Sequence, residues 1–118
     1  MIDKSKETKK QFRAGKVIIG TKDEVYFAGS ATEGDAKALG DALKKAGYLE
    51  DRGVTVLLSK GDSTLVSLVL KEGVWDKPTS VATYQRVARE VAPSVGGVPI
   101  ELRLLNTSLE TKKEMTIQ

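Results

Sequence analysis

Ser30, Ser59, Ser63, Ser67, Ser80 and Ser94 each carry a hydroxyl that could attack an electrophile, but a serine needs a base to do so at neutral pH. The chain contains no histidine and no cysteine. A lysine would have to serve as that base, and no S-x-x-K spacing occurs. The same two absences remove thiol nucleophiles, disulfides, the usual zinc ligand sets and imidazole proton transfer. Two carboxylate pairs stand out, Asp23 with Glu24 and Glu50 with Asp51. Each pair is adjacent in sequence rather than spaced to converge on one bond, so solvated turn carboxylates explain them better than paired acid and base. No catalytic residue, cofactor or metal site is expected, and the chain reads as a non-enzyme.

Binding chemistry leaves a few candidates. Gly29-Ser30-Ala31-Thr32 joins a strand to a helix, where backbone amides can hold an anion or a small ligand. It lacks both the G-x-G-x-x-G spacing and a G-K-[ST] ending, so an ordinary turn is the stronger reading. Trp75, the sole tryptophan, follows Gly73-Val74; packing over the end of the core is favoured, with partner contact as the alternative. Leu57, Val69 and Leu105 are apolar residues in excess of what one buried sheet face requires, and Leu105 is a candidate partner contact. An RNA-binding sheet needs aromatic side chains on its central strands, and only Tyr26 and Phe27 are available, on one strand. Nucleic acid is therefore disfavoured as a partner. Metal-chaperone chemistry is excluded by the missing cysteines.

The chain has 118 residues, 40% hydrophobic and 30% charged, enough for one domain with one core. Its formal charge of +3 is unevenly placed. Residues 1–16 hold Lys4, Lys6, Lys9, Lys10, Arg13 and Lys16 against Asp3 and Glu7, a net of +4, while the remainder is at −1. A basic tail can touch anionic lipid or nucleic acid, although mixed charges with one isolated Phe12 favour a solvated terminus. No apolar run reaches the roughly 20 residues that span a bilayer, and no signal peptide is expected. The chain reads as soluble, and cytoplasmic by default.

Which elements would position these residues? Lys16–Gly20 and Glu24–Ala28 read as a hairpin around a polar turn. Thr32 then opens a helix in which Ala36, Leu39, Leu43 and Ala46 share one side, with Asp35 as the shorter form of a capping-box acid and Gly47 as the stop. Gly40 inside it costs about 1 kcal/mol against alanine, which suggests close approach to a sheet. Val54–Ser59 and Ser63–Leu70 read as strands around a tight turn. A second helix begins near Pro78, carries Val81, Tyr84, Ala88 and Val91 at the same spacing, and ends at Pro93. Ile100, Leu102 and Leu104 mark the last clear strand.

The spacing of the first helix recurs 45 positions later, and Val54, Val56 and Leu58 match Val98, Ile100 and Leu102 at an offset of 44. The sequence therefore predicts an α+β two-layer sandwich, a ferredoxin-like duplicated β-α-β with an extra N-terminal strand, in the order β-β-α-β-β-α-β. Residues 1–15 are expected as a basic tail, 16–109 as a single domain and 110–118 as a frayed tail. The extra strand conflicts with the plait, where the strand before the first helix already has two neighbours.

Three stretches carry a resemblance: Ala31-Thr32-Glu33 through Ala36-Lys37-Ala38-Leu39-Gly40, Asp51 to Lys60, and Val91-Ala92-Pro93-Ser94-Val95-Gly96-Gly97. They resemble an uncharacterised domain of bacterial proteins, often found beside a membrane anchor, over about Lys16 to Glu114. The resemblance brings no functional residue. It implies that the basic first segment adjoins a transmembrane helix of a longer parent protein. Function is expected to be non-catalytic interaction or assembly, with a protein partner or self-association through a sheet edge or face. The alternative is a small-ligand regulatory domain of the ACT kind, with its site near the first strand–helix turn.

Overall fold

The computed structural model describes residues 15–118, so the expected basic tail lies outside the described residues except for Gly15, which begins a strand. Six strands form one sheet: β1 (Gly15–Ile19), β2 (Asp23–Gly29), β3 (Thr55–Lys60), β4 (Thr64–Val69), β5 (Ile100–Leu105) and β6 (Thr111–Ile117). Helices α1 (Glu33–Lys45) and α2 (Pro78–Val91) connect β2 to β3 and β4 to β5. Among the described residues the architecture is α+β, with one mixed sheet and two α-helices.

Both helices start where local chemistry dictates. At α1 the Thr32 hydroxyl accepts from the Asp35 amide at 3.1 Å, and the Asp35 carboxylate accepts from the Thr32 amide at 2.9 Å. Two amides that would otherwise lack partners are thereby satisfied. Lys44 and Lys45 lie in the last turn, beside the negative end of the helix dipole. Pro78 occupies the first position of α2, where no amide hydrogen is needed.

Ala36, Leu39 and Leu43 of α1 and Val81, Ala88 and Val91 of α2 are buried on the sheet, with Tyr84 packed at the rim. They meet Val17, Ile19, Val25, Val56, Leu58, Val66, Leu68, Ile100, Leu102, Leu104 and Ile117, the apolar set on one side of the strands. Tyr84 meets Tyr48 edge to face at 6.1 Å between ring centroids. Trp75, in a short 3-10 turn at Val74–Asp76, is buried in the same core.

Strand order departs from the plait. It is β1-β2-β3-β4-β5-β6, with antiparallel hairpins at β1/β2, β3/β4 and β5/β6 and parallel pairs at β2/β3 and β4/β5. A strand has only two sides. The β1–β2 hairpin occupies one side of β2, so the crossover through α1 must deliver β3 to the other. Interleaved ferredoxin-like order would need that occupied side. Two parallel β-α-β connections occur, β2-α1-β3 and β4-α2-β5, and they stand side by side rather than interleaved. The sequence match also weakens at one position, since Val98 is half exposed and precedes β5.

The C-terminal segment is a strand rather than a frayed tail. Met115 and Ile117 alternate with polar residues, and Ile117 is buried to 1% exposure. Thr111, Lys112, Lys113 and Glu114 obscure the pattern because β6 is an edge, where charged residues oppose unwanted strand pairing.

Gly40 is buried where α1 comes closest to the sheet, and a Cβ there would run into the Ile19 side chain. Gly40→Ala should therefore destabilise by about 1–3 kcal/mol in urea unfolding, although alanine is the better helix former. Ile19→Val in the same chain should recover part of that loss. Ile117→Ala should cost about 2–5 kcal/mol, a loss that a frayed terminus would not show.

Candidate functional site

The helices cover one side of the sheet. The opposite side is reached by reading the register across all six strands. Lys16, Tyr26, Leu57, Ser67, Arg103 and Glu114 are successive cross-strand partners and so share one row on that side. A second row runs Ile18, Glu24, Thr55, with Leu105 and Thr111 paired at its far end. A third contains Ala28, Ser59, Leu65, Glu101 and Thr116.

Ala28, Leu57 and Leu105 form a small second cluster on this side, packed by Tyr26, Val69 and Leu109. Leu57 and Leu105 are each only 2% exposed, and Ser67 between them is 3% exposed. Leu109 reaches the cluster from the β5–β6 turn, where its φ is +64°. The Asn106 side-chain oxygen shapes that turn by accepting from the amides of Ser108 and Glu110 at 3.0 and 2.9 Å. Charged residues close the two ends of the first row. Lys16 bonds Glu24 at 2.9 Å and stands 5.7 Å from the Tyr26 ring centre. Arg103 bonds Glu114 at 3.1 Å. The Glu24 carboxylate beside Lys16 raises the ammonium above its ordinary value.

The two edges differ. β6 presents Lys112, Lys113 and Glu114, and its register slips between Leu104 and Leu105. β1 offers Ile18 at 50% exposure, and its one lysine is held back toward β2. Of the two, β1 has fewer of the features that block strand addition.

The remaining sequence candidates are occupied in holding the fold. At Gly29-Ser30-Ala31-Thr32, the Ser30 amide donates to the Lys60 carbonyl at 2.8 Å and the Ala31 amide to the Ala28 carbonyl at 3.2 Å. The Thr32 amide is taken by Asp35, and Lys60 pairs with Asp35 at 3.2 Å. An anion would have to displace these bonds. Gly29 is required there by its φ of +67° and by the Lys60 backbone, which leaves no room for a Cβ. Trp75 at 9% and Leu105 at 2% exposure are core residues, so neither is the exposed anchor considered from sequence. Both are held by apolar neighbours of their own chain.

Sequence reasoning missed the role of Asp23. It is 1% exposed, and its carboxylate accepts from the amides of Asp51, Arg52, Gly53 and Val54 at 2.7, 3.2, 3.0 and 2.8 Å. Asp51 answers by accepting from the Thr21 amide, the Thr21 hydroxyl and the Lys22 amide at 2.8, 2.7 and 2.6 Å. Parallel pairing of β2 with β3 sets the starts of both strands side by side, which brings these two loops together. The clasp borders a hollow of about 250 Å³ lined by Ile19, Gly20, Asp23, Lys44, Leu49, Glu50 and Asp51. That is below the ~300–1,000 Å³ of usual ligand pockets, and its aspartates are spent on backbone amides. Among the described residues, no three acidic side chains are grouped to hold a metal ion. No helix among them is long and apolar enough to cross a membrane.

No family model, curated protein or solved structure matches the chain.

Asparagine at position 23 presents one acceptor oxygen and turns an NH₂ toward amide donors. Asp23→Asn should therefore lower stability by about 2–3 kcal/mol in urea unfolding. Bonds from the Thr21 hydroxyl and backbone hold Asp51 below its ordinary value of 3.8. Its contribution is thus complete above that value and is lost as pH falls through the lower folded one. Stability of the wild type and Asp51→Asn should differ at pH 6 and converge on acidification toward pH 2, measured as urea midpoints against pH.

Proposed function

We propose that the domain is a non-catalytic interaction or assembly module that works through the sheet side away from the helices and the adjoining β1 edge. The observation that supports this reading is the asymmetry of the sheet. One side holds the main core beneath two helices, whereas the other carries a second, smaller cluster of Ala28, Leu57 and Leu105 packed by Tyr26, Val69 and Leu109. Its rim combines an exposed isoleucine with charged groups of both signs. A shielded apolar centre with a polar rim is the usual anatomy of a specific protein contact. The small-ligand reading at the Gly29–Thr32 turn has no comparable support, because the amides of Ser30, Ala31 and Thr32 are already bonded.

Backbone amide NMR of the full chain tests the proposal. On association with itself or with an added protein partner, signals of Lys16, Ile18, Tyr26, Val69 and Arg103 should shift or broaden. Changes confined to α1 and α2 would overturn the reading.

A further inference from the structure

The β6 edge is open on both sides of the sheet. Consecutive side chains of a strand point to opposite sides, and Thr111, Lys112, Lys113 and Glu114 are all exposed. Among the described residues β6 pairs with β5 alone. Every second residue of an edge strand turns its amide and carbonyl outward, so β6 offers a row of backbone groups to an added strand.

Basic side chains gather beside that row. Lys113 is the cross-strand partner of Leu104, a core residue, and so lies on the helix side of the sheet with Met115 and Ile117. Helix α2 runs along the same flank. Gln85 Nε2 donates to Met115 Sδ at 3.2 Å, and Arg89 Nε donates to the Gln118 backbone oxygen at 3.3 Å. Arg86 is three residues before Arg89, hence on the adjoining helix face, and both arginines are exposed. The register slip between Leu104 and Leu105 leaves Lys112 without a partner on β5. Neighbouring carboxylates are largely occupied: Glu114 pairs with Arg103 at 3.1 Å, and Glu110 accepts from the Asn106 side-chain amide at 2.9 Å. Glu90, the single acidic residue of α2, follows Arg86 by one turn.

We infer that β6 takes an acidic, extended segment of another protein as an added strand. Its backbone pairs with the β6 edge, and its carboxylates meet Arg86, Arg89 and Lys113. A second copy of β6 would bring the same cations to the contact. Residues 1–14 hold Lys4, Lys6, Lys9, Lys10 and Arg13 against Asp3 and Glu7, so they are basic as well. Neither supplies the negative charge that this edge lacks. From Lys113 to Gln118 a strand advances roughly 17 Å, which fits a segment of about six residues with carboxylates at alternate positions. The site is separate from the sheet side and β1 edge proposed above, and does not depend on that reading.

A synthetic peptide, Glu-Val-Glu-Thr-Glu-Val-Glu, tests the site when added to the full chain and followed by backbone amide NMR. Signals of Arg86, Arg89 and Lys112 to Ile117 should shift, while those of Lys16 and Ile18 stay in place. Affinity should fall as salt rises. Lys113→Glu and Arg89→Glu should each weaken binding about tenfold or more, with circular dichroism confirming the fold. A peptide of the same composition with its glutamates in one block keeps the charge, loses the alternation and should bind more weakly. Equal binding of the two peptides, or shifts indifferent to both variants, would overturn the added strand. An oligouridylate that shifts the same signals at lower concentration would also overturn it, in favour of a phosphate backbone. Shifts confined to Lys16, Ile18 and Tyr26 would overturn it too, while supporting the β1 side of the molecule as the contact.

Discussion

A strand has two sides, and the hairpin at Thr21-Lys22 fills one side of β2 before the first helix begins. This constraint propagates through the molecule. The crossover through α1 can place β3 only on the remaining side of β2, the next hairpin adds β4, and the second crossover repeats the step to β5. Sequential order results, with parallel pairs alternating with antiparallel ones. Both helices lie on one side because both carry a single apolar stripe and share one core.

The same arrangement explains where polar groups are buried. Parallel pairing of β2 and β3 places the β1–β2 turn against the loop that precedes β3. That loop exposes four consecutive amides that no strand can use, and the Asp23 carboxylate accepts all of them. Asp51 adopts a left-handed φ of +61° and returns three bonds to the turn. Backbone amides are costly to bury unpaired, so the clasp closes the end of the sheet that the crossover opens. At the other end, Ser30 and the Thr32–Asp35 capping box do the same for the start of α1.

Among the described residues both crossover helices lie on one side of the sheet, and the other side carries the smaller cluster. Its central leucines are buried in a small cluster with Tyr26, Val69 and Leu109, and its charges lie at opposite ends of one row. Ser67, one of the hydroxyls considered as a nucleophile, is buried at the centre of this row as the small counterpart of Leu57.

Local chemistry and periodicity were enough to specify the two helices, their starts, five of the six strands and the close approach at Gly40, because each depends on residues near one another in the chain. β6 escaped that reading, since an edge strand with one protected side needs only Met115 and Ile117 to be apolar. Asp23 escaped it too: nothing near position 23 indicates that the amides of residues 51–54 will lie beside it. Strand order and the burial of Leu105 were decided by tertiary structure alone, whereas packing of Trp75 was already the favoured reading of the sequence. Spacing determines which side of an element is apolar, whereas neighbours are chosen by competition among strands for a limited number of free edges.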